Sequence, residues 1–505
     1  MRTLMAVVGA LLAGDLVSAQ GPAPDAAACE RLAASLRLPN TTVTSAKAVA
    51  AGRFVPPDGT PATANLSAFC RVQLTISPSN DSDIKSEVWL PLSGWNGRFQ
   101  QVGNGAWGGS IQYGPLAAAL ARGYSAASTD TGHTGRDASF AMGHPEKLID
   151  FGYRSVHETA VQSKATIAAL YGSAPRVSYF NGCSGGGRQA FMEAQRYPDD
   201  FDGLIAGAPG YDRTVQSFQL VAAIQATHKD PASYIPAGKY TVLHRAALEA
   251  CDALDGSTDG LISDPPRCRF DPAVTMCQGA DGADCLTRAQ VEAAKTLYAP
   301  LKDPKTGLDL FPGFEPGSEP QWAVSSGGPR PLGMSDDLFK YVVFKDPQWD
   351  FRSLDAGRHL AMANAVDGGI VSPTSPAIGP FVNRGGKLLM YHGWADANIS
   401  PRSSVRYYDR LVETLGARAV GESVRLYMVP GMGHCGGGQG PDTFDMVAAI
   451  EQWREQGRAP AAIVASRIAG GRVERTRPVC PYPQVVRYKG TGPIDRAESF
   501  ACAMP

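Results

Sequence analysis

The chain has 505 residues, 44% hydrophobic and 19% charged, a balance that buries a substantial core and excludes a largely disordered protein. At roughly 100–200 residues per domain, the length allows about two to four structural units. Forty-seven basic residues against forty-eight acidic ones leave a net charge of −1, which removes the electrostatic case for a nucleic-acid binder or a basic membrane-surface protein.

Met1-Arg2 is followed by an apolar run from Leu4 to Ala13 and by Val17-Ser18-Ala19 before Gln20. This is the basic, apolar, small-residue order of a signal peptide, expected over 1–19, and it is too short to span a bilayer. The mature protein is therefore expected to be secreted, with no membrane partner. Four N-x-[ST] sequons, at Asn40, Asn65, Asn80 and Asn398, fit export. Pro401 after Ser400 and the neighbouring Asp396 count against the last of them. The ten cysteines are even in number, which in an oxidising compartment favours disulfides, and no C-x-x-C suggests a zinc or redox motif.

Strands are predicted over Ile84–Leu90 and Arg98–Val102, then a glycine-rich loop over Gly103–Gly109, a short helix over Pro115–Ala121 and a strand over Tyr124–Ser128. A helix over Val156–Tyr171 and a strand over Arg176–Asn181 follow. Next come a sharp turn over Gly182–Gly187, a helix over Arg188–Arg196 and a strand over Phe201–Ala206. Alternating strands and helices predict an α/β protein with a parallel sheet. From 211 to 383 the rhythm breaks into long Pro-rich loops with four closely spaced cysteines. It resumes with a strand over Lys387–Tyr391, a helix over Ser403–Leu415, a strand over Val424–Val429 and a helix over Thr443–Gln456. The simplest organisation is one α/β domain, 20–210 with 384–505, interrupted by an insertion at 211–383.

Gly182-Cys183-Ser184-Gly185-Gly186 matches G-x-S-x-G between a predicted strand and a predicted helix, the context of a nucleophile elbow. Such a turn strains its central residue and leaves the flanking backbone no room for Cβ atoms. Ser184 is the candidate nucleophile, and the Gly185 amide is a candidate oxyanion donor. A serine hydroxyl needs a base at neutral pH. In the order Ser…Asp…His, His434 follows the strand Val424–Val429 and Asp396 follows the strand Lys387–Tyr391. His392 is the rival base. Cys183 precedes Ser184 and Cys435 follows His434, so an approach of serine and histidine brings the two cysteines within bridging distance.

These residues resemble the tannase and feruloyl esterase family, which includes fungal type B feruloyl esterases, tannases and a bacterial hydrolase of mono(2-hydroxyethyl) terephthalate. The likeness covers nearly the whole mature chain. It rests on G-C-S-G-G-G-R at 182–188, G-W-A-D at 393–396, G-H-C at 433–435, G-N-G at 103–105 and the cysteine and aspartate pattern at 251–268. The resemblance implies an α/β-hydrolase fold with 211–383 as a large lid. It also implies Ser184, Asp396 and His434 as the triad, Gly105 as second oxyanion donor, and the pairs Cys29–Cys70, Cys183–Cys435, Cys251–Cys268, Cys277–Cys285 and Cys480–Cys502.

The loop Cys251–Ile262 carries Asp252, Asp255 and Asp259 within eight residues and can add the carbonyls of Ser257 and Leu261. Calcium takes six to eight such oxygens, whereas a solvated Asx-turn loop needs no metal. The resemblance implies a structural calcium ion here. It further implies a serine esterase for aromatic acid esters, with feruloyl esters of plant-wall polysaccharides first and galloyl esters second. Trp322, Phe339, Tyr341 and Phe344 read first as core residues of the insertion and second as aromatic pocket walls. An exported binding protein on an inactive hydrolase scaffold is the reading from another class.

Overall fold

The computed structural model describes residues 24–61, 66–325 and 336–505. The expected signal segment and the Asn65 sequon lie outside the described residues.

Nine strands form the central sheet: β1 Thr41–Val49, β2 Phe69–Ile76, β3 Ile84–Pro91, β4 Arg98–Val102, β5 Ser125–Thr129, β6 Val177–Cys183, β7 Gly203–Gly207, β8 Lys387–Gly393 and β9 Val424–Val429. Their spatial order is β1-β2-β3-β5-β4-β6-β7-β8-β9. The first three pair antiparallel, β3 meets β5 antiparallel, and every pair from β5 onward is parallel. The parallel strands are almost continuously buried because helices cover both faces of the sheet. Strand alternation explains how. Phe180, Leu204 and Leu388 turn into one apolar cluster with Phe191 and Leu411. Tyr179, Ile205 and Leu389 turn into another with Leu120 and Ile450. This is the α/β-hydrolase core expected from the sequence.

The chain between β7 and β8 leaves the sheet and returns to the adjacent position. It contains helices Arg213–His228, Ala237–Cys251, Arg288–Tyr298 and Ala356–Asp367. It has its own apolar cluster, in which Tyr240, Leu243, Leu297, Phe314 and Trp322 are buried.

The helix predicted from Arg188 begins at Gly185, three residues earlier, so the turn after β6 is a single residue, Ser184. Three consecutive glycines masked that first turn, because glycine is a poor helix former and carries no periodic signal. Two hairpins near the C-terminus, Ile463–Ala469 with Arg472–Val479 and Val485–Tyr488 with Phe500–Ala503, were not predicted. All ten cysteines are paired, as Cys29–Cys70, Cys183–Cys435, Cys251–Cys268, Cys277–Cys285 and Cys480–Cys502. Among the described residues no helix is long and apolar enough to cross a membrane.

Candidate active site

The carboxyl ends of parallel strands, where successive crossovers diverge, are where an open α/β sheet places ligands. Here Ser184, Asp396 and His434 lie in the turn and loops that follow β6, β8 and β9. Ser184 has φ 62° and ψ −117°, a backbone conformation that costs a non-glycine residue about 1–3 kcal/mol. Its amide is held by the carbonyl of Gly207 at 2.9 Å. The neighbouring glycines are obligatory. A Cβ on Gly182 would lie 2.6 Å from the backbone of Gly186, and one on Gly187 would lie 2.3 Å from the Gly207 carbonyl oxygen.

Ser184 Oγ donates to His434 Nε2 at 2.8 Å, and His434 Nδ1 donates to Asp396 Oδ2 at 2.7 Å. The Asp396 side chain is fully buried, while that of His434 is 22% exposed. Burial alone would raise the Asp396 pKa. The positive charge and hydrogen bonds of His434 and His392 outweigh it and hold the carboxyl well below the usual range. Asp396 Oδ1 also accepts from the amides of Asn398 and Ile399 at 2.8 and 3.0 Å. Burial lowers the His434 pKa, but the Asp396 charge and hydrogen bond raise it further, so its net shift is upward.

His392, the rival base, sits behind the acid. It is fully buried. Its Nε2 lies 3.0 Å from both Asp396 Oδ2 and the Ile399 carbonyl, and its Nδ1 lies 2.8 Å from Ser404 Oγ. Two acceptors on one side fix a proton on Nε2. His392 therefore orients the carboxylate and makes no contact with Ser184. Cys183 and Cys435 are bonded with Cα atoms 6.0 Å apart, tying the serine and histidine loops together.

The glycine-rich loop after β4 is pinned by Asn104. Its amide donates to Gln189 Oε1, and its side chain donates to the carbonyls of Thr129 and Ser110. Gly105 and Ser184 line the same cavity of about 420 Å³, and nothing lies within 4 Å of a Cβ built on Gly105. The helix N-terminus at Gly185 packs beside Ala106.

The far wall comes from helix Arg213–His228, through Arg213, Gln216, Ser217 and Leu220, with Arg136 added from the loop after β5. No Phe, Tyr or Trp and no carboxylate among the described residues lines this cavity. Trp322 and Phe339 are fully buried in separate apolar clusters, and Tyr341 and Phe344 pack against the second of these. Sequence reading missed Arg213. Its guanidinium lies 4.6 Å over the Trp107 ring, and its Nε is buried without a hydrogen-bond partner. It forms no ion pair among the described residues. Burial pushes its pKa down to about 10, with Asp337 pulling the other way. Asp337 is itself pushed up to about 7, chiefly by burial. Only the fold could reveal a cation so weakly compensated in the cavity that holds Ser184. Asn398 lines the same cavity, where a glycan would fill the space.

In the aspartate loop, Asp252 accepts from the amides of Asp259 and Gly260, and Asp255 accepts from Ser257 and Ser263. Asp259 is paired with Arg477. All three carboxylates are buried. Arg475 and Arg487 also reach the loop, at the carbonyls of Asp259 and Leu254, and the three carboxylates are the kind of oxygen donor that suits a hard divalent cation. In the conformation described, no three acidic groups converge on one point among the described residues.

A family model described as tannase and feruloyl esterase matches residues 70–503. An uncharacterised esterase of Xanthomonas campestris pv. campestris is 39% identical over 99% of this chain and 94% of that protein. A protein named "Probable feruloyl esterase B-2" from Aspergillus terreus is 33% identical over 95% of each chain. The crystal structure of feruloyl esterase B from Aspergillus oryzae superposes with a TM-score of 0.90 at 32% identity, covering 95% of this chain and all of that one. By the matched family model, these relatives and the shared fold, the chain belongs to the tannase and feruloyl esterase family and is a carboxylic ester hydrolase.

Proposed function

We infer that this chain is an exported serine esterase that cleaves esters of hydroxylated aromatic acids, feruloyl esters first and galloyl esters second. The observation that carries this reading is the unbroken hydrogen-bond line from Ser184 through His434 to the buried Asp396. Ser184 Oγ attacks the ester carbonyl while its proton passes to His434 Nε2. The amides of Gly185 and Gly105 receive the developing oxyanion. His434 then protonates the leaving alcohol, leaving an acyl group on Ser184. Water, deprotonated by His434, attacks that acyl group and releases the acid and the free serine. Asp396 stays ionised throughout and stabilises the imidazolium. The relatives named feruloyl esterase B support the acyl preference. Five disulfides suit an oxidising compartment.

The segment 211–383 acts as the lid, supplying the wall that carries Arg213. That guanidinium is available to acceptor oxygens on the substrate. Calcium would be held by Asp252, Asp255 and Asp259 with the carbonyls of Ser257 and Leu261. It would brace the lid by offsetting the charge of the three carboxylates, and it takes no part in the chemistry. Chelation is then expected to lower the melting temperature and leave the Ser184–His434 chemistry in place.

Comparing kcat/KM on methyl ferulate, methyl caffeate and methyl gallate tests the substrate reading. Ferulate is expected to lead. A lead for gallate overturns the order, and turnover of none of the three overturns the aromatic acyl class.

A further inference from the structure

In the proposed reaction one donor amide, Gly185, opens the helix Gly185–Arg196, and the other, Gly105, lies on the loop after β4. Both have to sit about 2.7–3.1 Å from a single oxygen, so the gap between helix and loop must be set before the substrate arrives. The loop does not set it alone. Gly103 and Gly105 leave its backbone permissive, and the Gly105 amide donates to no acceptor among the described residues. Across the gap Gly103 faces Gly186, where a Cβ on Gly103 would lie 2.7 Å from Gly186 Cα. That contact brings the two backbones together without a side chain to hold their register.

Among the described residues, the only polar ties between this loop and the helix belong to one pair. The Asn104 amide donates to Gln189 Oε1 at 2.9 Å, and Gln189 Nε2 donates back to Asn104 Oδ1 at 3.2 Å. Both residues are buried, so water does not compete for these bonds. The pair has one orientation. Asn104 Nδ2 spends its two hydrogens on the carbonyls of Thr129 and Ser110, at 2.8 and 3.0 Å, which leaves Oδ1 facing Gln189. Residue 189 must therefore accept from a backbone amide and donate to a side-chain oxygen at once. An ionised carboxylate there would set oxygen against oxygen, and an apolar side chain would leave two buried groups unpartnered. Glutamine meets both demands, yet it does not line the active-site cavity.

We propose that Gln189 is a positioning residue of the ester hydrolysis, setting through Asn104 the spacing between the Gly105 and Gly185 amides. This rests on the serine esterase reading above. The spacing matters while negative charge sits on the carbonyl oxygen, so losing the tie slows the chemical steps and leaves substrate binding nearly untouched.

Kinetics on 4-nitrophenyl acetate with Gln189→Met, Asn104→Ser and the double variant test the proposal, together with inhibition by an aryl trifluoromethyl ketone. The ketone forms a tetrahedral oxyanion on Ser184 and so reads the same donors. Each single variant is expected to lower kcat about tenfold to hundredfold, to change KM less than about threefold, and to weaken ketone inhibition by the factor lost in kcat. The double variant should lose no more than the worse single one, because both act through one contact. Circular dichroism shows which variants fold, and either single variant suffices for the test. Unchanged kcat in a folded variant, a fall in kcat without the matching loss of ketone affinity, or losses that multiply in the double variant overturns the proposal. Loss of fold in both single variants overturns it too, since the pair is then structural. A wild-type protein that neither hydrolyses the ester nor binds the ketone overturns the esterase reading instead.

Discussion

The two walls of the active-site cavity handle polar groups in opposite ways. On the strand-end wall, Ser184, His434 and Asp396 each have a partner, His392 and two loop amides complete the acid, and a disulfide joins the loops. On the wall supplied by helix Arg213–His228, a guanidinium faces the cavity with a buried nitrogen unpartnered and only an aromatic face beneath it. A group whose hydrogen bonds are all made within the protein is set before any ligand arrives. A buried group left without a partner is costly until a ligand supplies one. In the function proposed above, reaction chemistry belongs to the first wall and selection of the ester to the second.

The comparison breaks most completely if Ser184→Ala retains activity. Removing the nucleophile is expected to lower kcat by about 10⁴–10⁶-fold with the fold intact by circular dichroism. Next, Cys183→Ala with Cys435→Ala should cost stability by about 2–4 kcal/mol in denaturant unfolding and lower kcat, because the loops lose their tie. Unchanged stability and rate would mean that the strand ends alone hold the wall. On the other wall, Arg213→Leu should lower kcat/KM by about tenfold to a hundredfold, mostly through KM, as for a lost hydrogen bond to a charged group of about 1.5–3 kcal/mol. An equal fall in kcat alone would move Arg213 to the reacting centre.

The smallest effect is the position of the acid limb in the pH profile. His434 accepts the serine proton only when neutral, and its pKa is raised by Asp396. Activity should therefore fall as pH drops through an apparent value above the ordinary histidine value of about 6.5. Asp396, held below the usual carboxylate range, stays ionised across that window. A limb below 6 would show that the acid does not act on the base as the geometry indicates.

What could be read beforehand followed from the local signals available. Strands β7, β8 and β9 are largely apolar runs, while β4 and β5 bury Gln100, Gln101, Ser125, Ser128 and Thr129 and were legible through the alternation of elements, and the elbow has a motif with a steric cause. The adjacency of Cys183 to Ser184 and of Cys435 to His434 placed two distant loops together before any coordinates. Strand β1, Thr41–Val49, has mixed polar residues and lies at the sheet edge, so its burial pattern is weak and gave no signal. Trp322 and Phe339 are core, the first of the two readings the sequence allowed, because aromatic residues in a separate insertion pack together first. Arg213 and Arg136 carry no motif. Only the fold shows which charges lack partners.

The most direct test is intact-protein mass spectrometry after reaction with a fluorophosphonate, followed by peptide mapping. The account predicts one phosphonyl adduct, mapped to Ser184 and abolished by His434→Ala. Absence of an adduct on the folded protein, or an adduct that persists in Ser184→Ala, would contradict it.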